Sequence, residues 1–224
     1  MSLNSNVVQN FLSQTIHGEN YAFAIFRLPS LLIPIVATHK TKLYTSRLTL
    51  RELAVQDLEQ IHMFHSLPEI DEYNTLGIPK NKQETLSILH QWVGFQKSDQ
   101  RKNYTLAVEY QPLRTQHQFI GLVGLHLGAQ KMKNGEVWYK IHPQYWGRGI
   151  ATEAVKEMLR FGFEDLGLHR IEAGCAVENL RSAKVLEKVG MTSEGRKRKS
   201  LPLKTGWSDT LEYAILEDEF EDEE

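Results

Sequence analysis

The chain has 224 residues, which suits one domain with additions, and its net charge of −2 argues against a nucleic-acid partner. One cysteine, Cys175, excludes an intramolecular disulfide and favours a reducing compartment. No apolar run has the length of a membrane span, and no basic segment with an apolar core marks a secretory signal. A cytoplasmic protein without a membrane partner is therefore expected.

Residues 1–42 are predicted to form an N-terminal extension that precedes the main domain. Apolar residues in the segment 5–16 recur close to helical spacing, and the segments 21–26 and 31–36 are typical of short strands. Pro34 lacks a ladder donor, so the second strand is expected at a sheet edge. The extension is interpreted as a strap packed on the core, with the arm of a homodimer as the alternative.

Three strands and two helices are predicted between residues 43 and 127. Leu48 and Leu50 alternate with polar neighbours, as in a half-buried strand. Gly121 and Gly124 weaken the third strand and predict a bulge or the close approach of another segment. The predicted strands are 45–53, 103–110 and 118–127, and the predicted helices are 56–66 and 81–96.

A turn with two glycines joins the next predicted strand to a helix. The strand covers residues 136–143, the helix covers residues 152–163, and Gly147 and Gly149 lie between them. The first N–H groups of a helix have no intrahelical partner and lie at the positive end of its dipole, and glycine lets a ligand come close. The pattern predicts a site for a phosphate-bearing cofactor. Its spacing fits neither a P-loop nor a dinucleotide-binding fingerprint.

Downstream, the segment 169–177 alternates as a strand does, and Asn179 and Gly190 are placed to begin and end a helix. Further strands are predicted at 191–199 and 207–216. The order of the elements indicates an α/β fold, of the α+β kind with a mixed sheet.

Two shorter features complete the prediction. Asn134 and Gly135 form a standard turn pair, so a hairpin turn is expected over residues 131–135. Residues 217–224 form an acidic tail, in which seven of eight residues carry a carboxylate, and it is predicted to be solvated and disordered.

The spacing Gln144-x-x-Gly147-x-Gly149 resembles the pyrophosphate-binding loop of the GNAT superfamily of N-acetyltransferases. The surrounding run 138–154 looks like the ribosomal-protein-alanine (RimJ/RimL-like) branch of that superfamily. A second signature, Asn179-x-x-Ser182, stands at the expected distance. The resemblance covers residues 43–216 and implies the GNAT acyl-CoA N-acyltransferase fold, in which two central strands, here 136–142 and 171–177, splay apart where the cofactor enters.

The resemblance implies acetyl-CoA as the cosubstrate, with no metal. Backbone amides of residues 146–152 would bind its pyrophosphate, with Arg148 as a positive rim or, alternatively, a solvated cation. Main-chain groups near Ile141 would bond the pantetheine arm, and an amide there would stabilise the oxyanion. The predicted cofactor-binding residues are Ile141, Gln144, Trp146, Gly147, Arg148, Gly149, Ile150, Ala151, Thr152, Asn179 and Ser182.

The resemblance also assigns catalytic roles. Ser182 matches the serine that donates a proton to the leaving thiolate, whereas Leu186 replaces the tyrosine of many relatives and Leu201 replaces the glutamate of the ribosomal branch. Either Glu136 or His126 would accept the proton of the amine, unless these two residues are structural.

Cys175 alternates with apolar residues, so it is expected to be a buried structural thiol, and direct transfer in a ternary complex is predicted over an acetyl-enzyme.

The implied function is N-acetylation of a primary amine, on a protein N-terminus or on a polyamine or antibiotic. A non-catalytic acyl-CoA sensor is the alternative, because of the two leucine replacements. The basic cluster 196–199 is interpreted as a solvated sheet edge or as a contact for the cofactor's 3′-phosphate or an acidic peptide.

Overall fold

A computed structural model describes residues 40–98, 100–111 and 117–221, so nearly all of the predicted N-terminal extension lies outside the described residues. The strands are β1 Lys42–Tyr44, β2 Leu48–Glu52, β3 Asn103–Tyr110, β4 Gln118–Leu127, β5 Asn134–Ile141, β6 Arg170–Ala176, β7 Thr192–Leu203 and β8 Gly206–Leu216. The helices are α1 Leu58–His65, α2 Pro68–Asp71, α3 Lys82–Phe95, α4 Ile150–Arg160, which a π turn Phe161–Asp165 extends, and α5 Leu180–Lys188.

The eight strands form one mixed sheet in the order β1-β2-β3-β4-β5-β6-β8-β7. Neighbouring strands are antiparallel except β5 and β6, which are parallel. The parallel pairing runs from Asn134–Arg170 to Glu136–Glu172, and the two strands then separate. We call the gap between residues 137–141 of β5 and 173–176 of β6 the fork. The predicted mixed sheet with splayed central strands is confirmed.

Helices cover both faces of the sheet. α4 and α5 pack on the face to which Val137 and Ile141 point, whereas α1 and α3 pack on the face of Leu122. Buried residues of α4 such as Met158 recur at helical spacing, and full burial of one such side chain contributes about 1.5–3 kcal/mol. This apolar face fixes α4, and with it the loop before α4, against β5. Within the described ranges, no helix is long and apolar enough to cross a membrane.

Gly121 and Gly124 allow β5 to lie unusually close to β4, as predicted. A Cβ atom on Gly121 would lie 2.2 Å from the carbonyl oxygen of Lys140, and one on Gly124 would lie 2.4 Å from the indole of Trp138. A register shift at Val108 and Glu109 of β3 provides the bulge beside them. The glycines therefore help to set where β5 runs.

The predicted Asn-Gly hairpin turn is wrong. A 3-10 turn at Gln130–Met132 closes the hairpin, and Lys133 adopts the left-handed conformation with φ of 47°. Asn134 and Gly135 instead belong to β5, where Gly135 pairs with Leu127 and with Ile171 of β6. Its Cβ would contact neighbouring groups at 3.1 Å, so Gly135 serves tight packing between strands.

The predicted disorder of the acidic tail is wrong for residues 217–221. The N–H of Glu217 donates to the His169 oxygen at 3.1 Å, and the Glu219 carboxylate accepts from the Leu216 N–H at 3.0 Å. Phe220, the one apolar residue among the acids, packs on Phe163 with ring centroids 5.4 Å apart. The packing of Phe220 on Phe163 thus outweighs the repulsion between the neighbouring carboxylates. Residues 222–224 lie outside the described residues.

Trp92 and the basic cluster 196–199 both have defined places in the structure. Trp92 packs with the apolar cluster under α1 and α3, and its ring centre lies 6.5 Å from that of Trp138. The basic cluster 196–199 lies on β7, the edge strand, with every side chain exposed. Arg196 pairs with Asp209 at 2.6 Å and Lys197 pairs with Glu212 at 3.0 Å, as a solvated edge would.

Candidate functional site

The loop between β5 and α4 presents a helix N-terminus beside the open end of the fork. Gly147 and Gly149 both have φ of 74°, in the left-handed region that favours glycine. Gly149 is the N-cap of α4 and has no side chain with which to cap it. The N–H groups of Ile150, Ala151 and Thr152 begin the helix and have no intrahelical acceptor, so they suit an anion.

A distant carboxylate fixes this loop in place. Glu153, in the first turn of α4, accepts from the Arg47 backbone N–H at 2.9 Å and from Arg47 Nε at 2.6 Å. Arg47 Nη1 also donates to the Arg148 carbonyl oxygen at 3.0 Å. Burial would raise the pKa of Glu153, but hydrogen bonds from Thr45 and Arg47 lower it, so the side chain stays ionised.

Because Arg47 balances the charge of Glu153, the start of α4 remains attractive to an anion. The sequence pattern did not identify this pair, since the two residues lie 106 positions apart.

The main chain of β5 exposes donors and acceptors to the fork. The His142 N–H donates to the Ile120 oxygen of β4 at 2.7 Å, which sets the alternation of the antiparallel ladder. By that alternation, Lys140 turns its N–H and C=O to β4, whereas Tyr139 and Ile141 turn theirs to the fork. These groups could bond an extended ligand, which is the role expected of Ile141.

Three main-chain groups of residues predicted to bind the cofactor already have partners. The Ile141 carbonyl oxygen accepts from Trp146 Nε1 at 2.6 Å, whereas the N–H of Ile141 remains free for a ligand. The Trp146 N–H donates to the Pro143 oxygen at 3.1 Å, so the amides free for an anion start after Trp146. The Gln144 N–H donates to His142 Nδ1 at 3.3 Å, while the Gln144 side chain is exposed.

Two arginines flank the loop. Arg148 is exposed, as predicted, with its guanidinium 5.5 Å from the ring centre of Tyr145. Arg181, in the first turn of α5, lies 4.7 Å from the ring centre of Trp146. The sequence analysis missed Arg181, and its position next to Ser182 was the only signal for it. Both cations are placed to offset the charge of a phosphate ligand.

Ser182 lies at the start of α5 with its hydroxyl at the fork. Asn179 caps the helix as predicted, since its Oδ1 accepts from the Ser182 N–H at 3.1 Å. The Ser182 Oγ lies 2.8 Å from the hydroxyl of Tyr139, a residue that the sequence analysis did not single out. Leu186 is buried in the core beneath, and Leu201 lies half-buried on β7, so neither supplies a donor or a carboxylate.

Cys175 is buried beside Ser182, as predicted for a structural thiol. Burial raises the pKa of the Cys175 thiol, while a hydrogen bond with Ser182 acts in the opposite direction. A thiol kept protonated is a weak nucleophile.

Glu136 and His126 lie together at the closed end of the fork. Glu136 forms the last β5–β6 pair with Glu172 and is also the cross-strand partner of His126, so the three side chains share one face. Glu136 and His126 are exposed, and the His126 Nε2 accepts from Trp138 Nε1 at 3.2 Å. By strand alternation this face is opposite to that of Tyr139 and Ser182.

The face of Glu136 also carries buried titratable groups that the sequence analysis missed. Lys140 Nζ donates to Asn74 Oδ1 at 2.8 Å, and burial lowers the pKa of Lys140 to about 8, against a raising effect of Asp71. Asp71 is itself paired with Lys204 at 3.0 Å. Burial, and then the charge of Lys140, lowers the pKa of His65 to about 4.

A cavity of about 300 Å³ opens next to the end of β6, between the segment after α2 and the β7–β8 hairpin. The residues that line it include Glu72, Tyr73, Glu178 and Trp207. Ser208 Oγ donates to Glu178 Oε2 at 2.6 Å and orients that carboxylate. In the part of the chain that the structure describes, no group of three or more His, Cys, Asp or Glu residues could hold a metal ion.

Comparisons with known proteins agree with this geometry. A family model described as an acetyltransferase (GNAT) domain matches residues 47–192. The uncharacterized N-acetyltransferase YoaA of Bacillus subtilis is 30% identical over 174 residues, which cover 78% of this chain and 96% of YoaA.

Two solved structures extend the comparison. A spermidine N-acetyltransferase from Vibrio cholerae, solved with CoA and spermine, is 25% identical with a TM-score of 0.68, over 78% of this chain and 98% of that one. A ribosomal-protein-S5-alanine acetyltransferase from Vibrio fischeri shares the fold, with a TM-score of 0.68 and 22% identity over 81% of this chain and 100% of that one.

Proposed function

The chain belongs to the GNAT family of N-acetyltransferases, and we propose that it transfers the acetyl group of acetyl-CoA directly to a primary amine in a ternary complex. The observation that carries this proposal is the fork, which opens between β5 and β6 beside the loop. Glu136 lies on one face of the sheet there and Ser182 on the other. An amine can therefore approach on one face while the thiolate leaves on the other.

The residues around the fork fit acetyl-CoA, the cosubstrate expected for this family. The N–H groups of Ile150, Ala151 and Thr152 would donate to the pyrophosphate, and Arg148 and Arg181 would offset its charge. The unpaired flank of β5 offers strand-like partners to the pantetheine arm. Acetyl-CoA supplies the activated acetyl group, and these residues bind and orient it.

The chemistry needs three groups at the fork. The amine nitrogen forms a bond to the thioester carbon, and the C–S bond breaks. A protonated amine has no free lone pair, so Glu136 or His126 must accept a proton, directly or through water. The N–H of Ile141 points into the fork and would stabilise the oxyanion, and the Ser182 hydroxyl would donate to the departing sulfur.

The cavity beside β6 supports a cationic acceptor. The carboxylates of Glu72 and Glu178 would attract an ammonium group, and the rings of Tyr73 and Trp207 would contact its stem. A cavity of this size has room for the terminal residue of a peptide or the end of a polyamine. We favour a protein or peptide N-terminus, with a polyamine or antibiotic amine as the alternative acceptor.

The function is tested by measuring CoA thiol release from acetyl-CoA with a panel of amines. The panel contains peptides that begin with alanine, the same peptides blocked by N-formylation, spermidine and an aminoglycoside. We expect turnover with the free peptides and none with the blocked ones. Turnover with spermidine alone would replace the proposed acceptor, and CoA binding without turnover on any amine would overturn the proposal.

The direct route is tested separately. Cys175→Ala should keep at least half of the wild-type kcat, and double-reciprocal plots should intersect, because no acetyl-enzyme forms. Parallel plots, or an acetylated Cys175 detected by mass spectrometry, would establish the two-step route instead.

The loop is tested with a matched pair of glycine variants. Gly149→Val places a branched side chain at φ of 74°, with its Cβ 3.5 Å from Arg47 Nη2. Gly77→Val introduces the same strain at φ of 75°, with no atom within 4 Å of its Cβ and far along the chain from the loop. We expect CoA binding to be lost only in Gly149→Val, and equal CoA affinity in both variants would contradict the assignment of the loop.

A further inference from the structure

We infer that Tyr139 is a positioning residue for this reaction, because its partly buried phenol holds the hydroxyl of Ser182 at the fork. The inference rests on the proposed function and assigns a role to a residue that neither the loop nor the base candidates require. It is carried by three observations: the level of Tyr139 along the fork, the hydrogen bonds of Ser182, and the burial of the phenol.

Tyr139 and Cys175 lie at the same level on the two sides of the fork. The last parallel pair is Glu136 with Glu172, and each of the two residues lies three positions beyond its member of that pair. Both side chains point to the face that α4 and α5 cover. Ser182, from the first turn of α5, forms a hydrogen bond with Tyr139 there.

The hydrogen bonds of Ser182 allow an arrangement in which its hydroxyl proton points toward the sulfur. Its backbone N–H is taken by Asn179 Oδ1 at 3.1 Å. The Tyr139 hydroxyl lies 2.8 Å from Ser182 Oγ and 3.3 Å from the Ser182 carbonyl oxygen, so the phenol can donate to either. A serine hydroxyl has one proton and two lone pairs. When the phenol donates to Ser182 Oγ, the serine proton turns away from Tyr139 and toward sulfur.

During the reaction that sulfur is the leaving atom of the thioester. The electron pair of the broken C–S bond stays on that sulfur as a thiolate, and Ser182 stabilises it by donating a hydrogen bond. The protonated amine releases two protons: the first goes to the base on the opposite face before the attack, and the second leaves the nitrogen of the tetrahedral intermediate and protonates the thiolate through water. No proton has to leave Tyr139 in this scheme.

Burial keeps Tyr139 in the form that this role needs. Removal from water raises the pKa of Tyr139 well above its usual value, against the lowering effect of Ser182. The phenol therefore remains protonated through the working pH range and acts as a fixed donor. Leu186, on the same helix, is buried and has no polar atom, so it cannot share the task.

The experiment removes one hydroxyl at a time. Tyr139→Phe should lower kcat about tenfold, as expected for one hydrogen bond that matters mainly in the transition state, with the Kd for CoA unchanged within about twofold. The control is Tyr213→Phe, because the buried phenol of Tyr213 donates to Glu187 Oε1 on the same helix at 3.3 Å. The control variant should keep the wild-type kcat.

A double variant decides whether Tyr139 acts through Ser182. Tyr139→Phe should add no further loss of kcat to Ser182→Ala, because the group that it positions is already gone. Fully multiplicative losses, or a wild-type kcat in Tyr139→Phe, would overturn the inference while leaving the acetyltransferase function in place. If the wild-type protein showed no turnover with any amine, that result would instead contradict the proposed acetyltransferase function.

A second readout does not depend on turnover. Cys175 is the only cysteine of the chain, so alkylation by iodoacetamide reports on it alone. Both Tyr139→Phe and Ser182→Ala should shift the pH midpoint of alkylation upward, because each weakens the hydrogen bond that favours the thiolate. Tyr213→Phe should not shift it. A midpoint that moves in Ser182→Ala but not in Tyr139→Phe would contradict the positioning role.

Discussion

The indole N–H of Trp146 donates to the carbonyl oxygen of Ile141 at 2.6 Å and so ties the loop to the last residue of β5. Trp146 also lies under the guanidinium of Arg181, 4.7 Å from its ring centre. The indole thus connects β5, the loop and the start of α5. Because the carbonyl of Ile141 is occupied, this end of the fork offers donors, which suits a ligand rich in acceptor oxygens.

We expect Trp146→Phe to weaken CoA binding about fivefold to tenfold, because it removes one buried hydrogen bond of about 1 kcal/mol and frees the Ile141 carbonyl. Isothermal titration with CoA measures the change. Trp207→Phe is the comparison, since Trp207 lines the cavity and should affect the KM for the amine alone. Unchanged CoA affinity in Trp146→Phe would remove the indole from the site.

Arg47→Met should weaken CoA binding by about 1–2 kcal/mol, because it leaves the Glu153 carboxylate uncompensated at the start of α4. The double variant Arg47→Met/Glu153→Gln also lacks the negative charge of Glu153, so it should recover part of the affinity for CoA. Glu153→Gln alone serves as the reference for lost hydrogen bonds. If the double variant binds CoA no better than Arg47→Met, the loop depends on its geometry and charge balance is irrelevant.

Glu136→Gln should lower kcat about a hundredfold, whereas His126→Asn should lower it less than about threefold. Glu136 stands at the last pair before the fork, but the His126 Nε2 is already engaged by Trp138. Steady-state kinetics with each variant measure the two losses of kcat. The reverse ranking of the two variants would make His126 the base.

His65 should make the fold sensitive to mild acid. Its pKa is lowered to about 4 by burial, so between pH 6.5 and pH 4 the unfolded state binds a proton that the folded state does not. Stability therefore falls as the pH falls through this window, by about 3 kcal/mol in total. Below pH 4 both states are protonated and this loss stops growing.

Urea titrations across this pH range test the effect. His65→Leu should flatten the decline, because an aliphatic side chain takes up no proton in either state, whereas His90→Leu, at an exposed position of α3, should leave it unchanged. An equal slope in the wild type and in His65→Leu would assign the acid sensitivity to other groups.

The superfamily, the enzyme class and the mixed sheet were predictable because their signals are local. The run from Gln144 to Gly149 encodes its own backbone conformation, and Asn179 caps the helix that it precedes. The matching family model is of the RimJ/RimL type, as predicted. Each of these features is encoded within a single segment of the chain.

The rest of the site depends on contacts between distant segments. Tyr139 meets Ser182 only because β5 and α5 lie on the same side of the fork, and Arg47 meets Glu153 only because β2 lies near α4. The sequence around Tyr139 carries no signal for its contact with Ser182. At Gly135, the pairing of β5 with β6 outweighed the local preference of an Asn-Gly pair for a turn.

The short parallel pairing of β5 and β6 makes the sheet two half-sheets joined at a seam. The β1–β5 half and the β6–β8–β7 half share a ladder of three residue pairs in these fully described strands. A molecule lying in the fork would add rungs to that ladder and bridge the halves. Binding should then reduce the motion of the whole domain. Amide hydrogen exchange should slow together on β5, at Tyr139 and Ile141, and on β6, at Cys175.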